Sequence, residues 1–245
     1  MNSENAIVRP VRTKRTPELG PLAVLAASKL DVEVLRDSLN LPDNRALYLS
    51  RLYYDAADRT RPAVIGPLMG APYAVMCLET LRAWGTCKAF FIGWCGSIDA
   101  RVRVGDAILP SGAWIDEGTS VHYGQSGKHA VQPDKRLRSI LEAGLRQSRS
   151  IFHVGTIWTT DAIFRETPDQ VLKFQQLGAL AVEMELSALL SAAEFYAFPL
   201  AGILTVSDEL FSLQWRPGFK SDAFKQSRAA VCLLVSELLK HQDIE

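Results

Sequence analysis

From Pro21 onward, short and almost wholly apolar runs alternate with longer amphipathic segments, which is the pattern of a sheet covered by helices. "LAVLAA" (22–27) reads as a buried strand and "DVEVLRDSL" (31–39) as the helix after it. "RALYLSRLYY" (45–54) and "PAVIGPL" (62–68) read as the next two strands. Pro72 at a first helical turn, apolar Val75, Leu78 and Leu81, and Gly85 just past the end mark another helix. "AFFIGWCGSI" (89–98) begins as a buried strand and ends in a turn at Gly93 and Gly96, a shape that brings backbone amides close to an anion. "VGDAILPSGAWI" (104–115) reads as further strands, because Pro110 and Gly112 interrupt any helix.

The second half repeats the alternation. "PDKRLRSILEAGLRQS" is a helix and "FHVGTIWTT" a strand. Thr167-Pro168-Asp169-Gln170 combines capping-box spacing with proline at the first helical position, so a helix starts there. "GALAVEM" is a strand, "ELSALLSAAEFYA" a helix ending before Pro199, and "LAGILTVSD" the last strand. Phe224, Val231, Leu234, Val235 and Leu238 stripe the final helix.

A chain of 245 residues with 48% hydrophobic content supports one large core, so residues 21–245 are expected to form a single domain. Residues 1–20 carry Arg9, Arg12, Lys14, Arg15 and two prolines among polar residues, and are expected to form a flexible arm; packing on a neighbouring subunit is the alternative. Lys plus Arg equal Asp plus Glu at 27 each, so no net field recruits nucleic acid or an acidic membrane, and a small molecule is the expected partner. The four cysteines form no C-x-x-C pair and the four histidines are scattered, which disfavours a metal site and a disulfide framework. No apolar run reaches the roughly 20 residues needed to span a bilayer, and no secretory h-region opens the chain, so a reducing cytoplasm is expected.

Three strands end in chemically loaded residues: "GWCGS", "VEME" and "TVSDE". In open α/β sheets ligands gather beyond strand ends, where loops converge. Glu183 and Glu185 bracket Met184 where a strand becomes a helix, so both acids point to one side; Glu185 would serve equally as an N-terminal helix charge. Ser207, Asp208 and Glu209 follow an apolar strand, where Asp208 is either a turn or cap residue or a partly buried proton donor.

In order and setting, "GPLMGAP", "GWCGSI", "VGDAILP", "EGTSVHYG", "TTDAIF", "AVEMEL" and "TVSDE" resemble the nucleoside phosphorylase and nucleosidase superfamily, enzymes that split the N-glycosidic bond of purine nucleosides and uridine. The pieces spread from about residue 21 to 240. The resemblance implies an α/β three-layer sandwich whose central mixed sheet partly closes into a barrel, a dimer, trimer or hexamer, and no cofactor, with inorganic phosphate as co-substrate in phosphorolytic members. It implies that Glu185 binds the ribose hydroxyls, Met184 packs on the sugar and Glu183 shapes the pocket. Asp208, with Ser207 beside it, would face the purine N7, Ile163 and Phe164 would pack the base, and His122 and Tyr123 would lie near the ribose.

The phosphate-binding pattern departs from this resemblance. Where phosphorolytic members carry a first-helix arginine this chain has Asp31, where they carry a strand arginine it has Phe91, and where they carry a hydroxyl, just before Gly96, it has Trp94. Arg45 resembles the arginine that many hexameric members donate across a subunit contact. A doubly charged phosphate beside a carboxylate is costly to desolvate. In the related nucleosidases, which hydrolyse methylthioadenosine and adenosylhomocysteine, an acid at the position of Asp31 activates water. Hydrolysis of a purine nucleoside is therefore the expected reaction, with Asp31 orienting water, Glu185 fixing the ribose and Asp208 protonating the base. Lys29 with Arg45 rebuilding an anion site, and a non-catalytic nucleoside-binding module, are the alternatives.

Overall fold

A computed structural model describes residues 6–148 and 150–240. The alternation read from the sequence becomes a mixed sheet with eleven strands among the described residues. Strand β1 (Leu22–Ala26) lies parallel to β4 (Ala63–Gly66) and to β5 (Lys88–Ser97), and β2 (Asp43–Leu47) and β3 (Ser50–Tyr54) extend the sheet beyond β4. The other half is built from β6 (Ala107–Asp116), β8 (Phe152–Thr160), β9 (Ala179–Glu183) and β10 (Leu200–Glu209), with short β7 (Ala130–Val131) and β11 (Arg216–Pro217) at its margins. Because β10 pairs with β5 as well as β6, the circuit β5–β10–β6–β8–β9–β5 closes on itself. The sheet is therefore partly a barrel and partly an open blade.

Two apolar layers follow from the strand alternation. Helices α2 (Ala71–Ala83) and α5 (Leu186–Phe195) cover the face that carries Phe91 and Cys95. Helices α1 (Lys29–Ser38), α3 (Lys135–Gln147) and α6 (Asp222–Lys240) cover the opposite face, with Phe90 and Ile92. Helix α4 (Pro168–Gln176) closes a smaller cluster in which Trp158 stacks on Phe174 at 4.4 Å. Its start follows the capping logic: Thr167 accepts from the Gln170 amide, and Pro168 occupies the first turn.

Several sequence expectations are corrected. The stretch 45–54 is a hairpin of two strands, not one strand, because exposed Tyr48 and Leu49 form its turn, with Tyr48 at φ 53°. Residues 104–115 hold one long strand, which absorbs Pro110 and Gly112 through a register shift against β8. The turn expected at Gly93 and Gly96 is continuous strand, its backbone paired with β10 and β9 rather than looped around an anion. Its glycines serve clearance instead. A Cβ on Gly93 would lie 2.9 Å from the Phe91 ring, and one on Gly96 would lie 2.4 Å from Leu210 Cδ1.

The arm expected to be free of the core is tied to it through its described part. Trp84 donates its indole N–H to Val11 O at 3.1 Å, Arg45 donates to Arg15 O at 2.9 Å, and Glu18 pairs with Arg59. Residues 1–5 of that expected arm and 241–245 of the expected domain lie outside the described residues. Among the described residues, no helix is long and apolar enough to cross a membrane.

Candidate active site

Strand register assembles the site. Asp208 on β10 lies opposite Gly96 on β5, and Gly96 lies opposite Val182 on β9, one residue before Glu183. The three strand ends singled out in the sequence therefore meet at one mouth of the barrel. A Cβ on Gly96 would approach Asp208 Oδ2 to 3.0 Å, so glycine there leaves room for the carboxylate. The Cys95 thiol is buried beside both acids, and burial first, then the charges of Asp208 and Glu183, push it well above its ordinary range.

Glu183 and Glu185 are both buried but do different things. Glu183 Oε2 accepts from the backbone amides of Glu185 and Leu186, each at 2.8 Å, and Oε1 accepts from Thr159 Oγ1 at 2.5 Å. It thereby holds the amino end of α5, where backbone donors lack helical partners. Glu185 sits at the N-cap position of α5 without capping it. Its Oε1 accepts instead from the Gly70 amide at 2.6 Å. Gly70 has φ 84°, which explains why this contact needs glycine. Burial raises both glutamates above the usual carboxylate range, and the charge of Glu185 adds to the effect on Glu183.

A second buried acid organises the neighbouring loop. Glu117 accepts from the amides of Thr119 and Ser120 at 2.5 and 3.0 Å and from the Ser120 and Ser187 hydroxyls. The Ser187 amide in turn donates to Thr159 Oγ1 at 3.0 Å. Glu117, Ser187, Thr159 and Glu183 thus form one continuous polar chain beneath the site. The sequence reading missed Glu117 because its acid looks like ordinary loop solvation; the two hydroxyl residues following it were the available signal.

Asp208 is half-buried at the mouth. Ser207 donates its hydroxyl to Asp208 Oδ1 at 2.6 Å, and Trp215 donates its indole N–H to Oδ2 at 2.8 Å. Glu166, just past the turn that carries Ile163 and Phe164, is raised to about 7 by burial and secondarily by the negative charge of Asp208. Neither Trp215 nor Glu166 was singled out in the sequence. Met184 is half-buried between the two glutamates, whereas Ile163 is exposed and Phe164 is 96% exposed.

The residues expected to handle the nucleophile are arranged differently from expectation. Asp31 is 0% exposed, and its two oxygens are taken: Oδ1 by Arg228 Nη1 and Oδ2 by Trp94 Nε1, each at 2.7 Å. Burial pushes this carboxyl up, and Arg228 and then Trp94 oppose that rise. The water-orienting role expected of Asp31 is not met by this geometry, because the carboxylate is wholly buried and directed at Arg228 and Trp94 rather than presented to solvent. Trp94 also packs edge-on against Phe224 at 4.9 Å, filling the space between β5 and α6. Lys29 points outward toward Glu33, and Arg45 lies 5.1 Å over the Trp84 ring of its own chain. Arg228 was missed, although it lies four residues after Phe224 and so on the apolar stripe of α6.

His122 is exposed on the one-turn helix Ser120–Tyr123 and lines a cavity of about 400 Å³ with Pro72, Met76, Glu79, Thr119 and Asp161. That cavity contains none of Glu183, Glu185 and Asp208 among its lining residues. Among the described residues, no cluster of three His, Cys, Asp or Glu is placed to hold a metal ion.

Known proteins resemble this chain in sequence and in fold. A guanosine phosphorylase of Halorubrum lacusprofundi is 29% identical over 174 residues, 71% of this chain and 70% of its own length. A DeoD-type purine nucleoside phosphorylase of Bacillus cytotoxicus is 33% identical over 155 residues, covering 62% of this chain and 65% of its own. Among solved structures, uridine phosphorylase from Vibrio fischeri superposes with a TM-score of 0.78 at 18% identity, covering 94% of this chain and all of its own. AMP nucleosidase from Bacteroides thetaiotaomicron superposes with a TM-score of 0.74 at 18% identity, covering 92% of each chain. These two likenesses establish the shared fold, with its mixed and partly closed sheet. The phosphorylase superfamily profile matches residues 21–240, nearly the whole domain, and the chain belongs to that superfamily.

Proposed function

We propose that this chain cleaves the N-glycosidic bond of a purine nucleoside and transfers the ribosyl group to water. Departure of the base leaves an oxocarbenium-like sugar, so the site must neutralise the leaving purine and hold the sugar hydroxyls. In this reading Asp208 protonates N7, Glu185 binds the ribose hydroxyls, Met184 packs on the sugar, and Ile163 and Phe164 cover the base. Glu183 holds the turn that presents Glu185. No step requires a cofactor. Assembly into a homo-oligomer belongs to the same reading, since it would cover exposed Leu49, Met69 and Phe164.

The observation that carries the choice of water is the closed Asp31–Arg228–Trp94 contact. Arg228 reaches Asp31 Oδ1 at 2.7 Å, so the carboxylate already offsets its charge. An incoming phosphate would have to break this buried pair and lie against a carboxylate, which desolvation disfavours. Asp31 acts here as the counter-charge that takes Arg228 out of play, rather than as the base that orients water.

The test is product identity. Purine nucleosides incubated with the chain should release free base and ribose at the same rate with and without inorganic phosphate. Strict phosphate dependence with ribose 1-phosphate as product would reject hydrolysis and favour the activity named for the relatives. Asp208→Asn should lower turnover by about 10²- to 10⁴-fold while leaving the unfolding midpoint in place.

A further inference from the structure

The loop after β10 touches both halves of the site. Its far end is fixed: β11 pairs with β10 at Asp208 and Glu209, and the Gly218 amide donates to Ser207 O at 2.9 Å. A Cβ on Gly218 would lie 2.5 Å from Val104, so the backbone there is closely seated. Phe219, just beyond, tilts toward Trp94 with ring centroids 6.3 Å apart. Against this fixed backbone, Trp215 is 64% exposed, with its indole N–H docked on Asp208 Oδ2.

An N–H donates only to an oxygen that carries no hydrogen in that direction. With Trp215 docked and Ser207 on Oδ1, both oxygens of Asp208 are engaged. A base whose N7 is to meet Asp208 has to take the place of the indole. Indole and purine are both fused five- and six-membered rings, and the donor of the indole lies on the five-membered ring. The docked Trp215 therefore presents to Asp208 what an N7-protonated purine would present after bond cleavage.

We propose that Trp215 is a gating residue that occupies the base-binding edge of Asp208 in the empty site and is displaced when a purine enters. The proposal rests on the reading of Asp208 as the residue facing N7, and it concerns binding rather than bond cleavage. Because the backbone of β11 is held, the movement is a side-chain swing, not an opening of the loop. Gating of this kind makes the competitor intramolecular, so its effect appears in the apparent affinity of every ligand that needs Asp208 Oδ2.

The experiment is binding of free adenine, guanine and hypoxanthine to the full chain and to Trp215→Phe, which keeps an aromatic ring and removes the N–H. Calorimetry should show about tenfold tighter binding of the preferred base to Trp215→Phe, the size expected for losing one competing hydrogen bond. Steady-state assay should show a lower KM with kcat little changed. The change in tryptophan fluorescence on base binding to the wild type should be lost in the variant. Unchanged or weaker binding by Trp215→Phe, or a raised KM, would overturn the gate and make the indole a support for the bound base. Bases that bind with this pattern while nucleosides stay intact would leave the gate standing and remove the proposed catalysis. Absence of purine binding to both forms would remove both.

Discussion

Glu183 Oε2 accepts the backbone N–H of Glu185 at 2.8 Å, so one acid of the "VEME" pair holds the other in place. Their roles separate by what each carboxylate touches. Glu183 satisfies two amides and the Thr159 hydroxyl, all buried, whereas Glu185 satisfies the Gly70 amide. Glu183→Ala should therefore destabilise the fold by about 3 kcal/mol through unsatisfied buried donors. Glu185→Gln keeps an acceptor for Gly70 and removes a buried charge, so stability should stay within about 1 kcal/mol while kcat/KM falls by roughly 100-fold. Denaturant midpoints and nucleoside kinetics on both variants check this division. A stable Glu183→Ala, or a fully active Glu185→Gln, would contradict it.

The Asp31–Arg228 pair joins α1 to α6 across the buried face of the sheet. Removing one partner leaves the other charge unpaired, with Asp31 wholly buried and the Arg228 side chain only 13% exposed. Asp31→Ala should cost about 3–5 kcal/mol, the usual consequence of breaking a buried ion pair. Replacing both partners, Asp31→Leu with Arg228→Met, should recover most of that loss because no charge is left to desolvate. Urea titration of the two single variants and the double variant gives the coupling directly. Losses that simply add would show that the two side chains do not depend on each other.

Legibility from sequence followed the range of the interactions involved. Helix starts and strand cores were readable because they rest on local spacing: Thr167 with Pro168 marked α4, and the apolar run at 22–27 marked β1. The glycines at 93 and 96 misled because turn formation and clearance use the same residue, and only the neighbours decide between them. Leu210 and Asp208, the groups Gly96 makes room for, are more than 110 positions away. The acids at two of the three strand ends, Glu183 with Glu185 and Asp208 with Glu209, could be recognised as a set, since each group stands where an apolar run stops. Asp31 looked available because sequence shows its charge but not Arg228, which reaches it from a helix 197 positions later. Trp215 was invisible for a different reason: an aromatic in a Pro- and Gly-bearing loop carries no periodicity, and only the β10–β11 pairing folds it back onto Asp208.

Glu166 gives the site a measurable dependence on pH. Its carboxyl is raised from 4.5 to about 7, chiefly by burial and then by the nearby charge of Asp208. Between those values the folded chain keeps a proton that the unfolded chain has released, so stability falls as pH rises through this window. The contribution is fully present below about pH 4.5 and lost above about pH 7. Glu166→Gln carries no such proton. It should match the wild type near the acid end and exceed it above about pH 7 by roughly 1 kcal/mol, a figure reduced for partial exposure to solvent. For a domain of this size that is a rise in Tm of about 2–4 °C. Asp208→Asn removes one of the two causes, so in that background the gain from Glu166→Gln should shrink. Thermal unfolding of the four proteins at about pH 5 and pH 8 measures both effects. A gain of equal size at the two pH values would show that Glu166 does not titrate in this window.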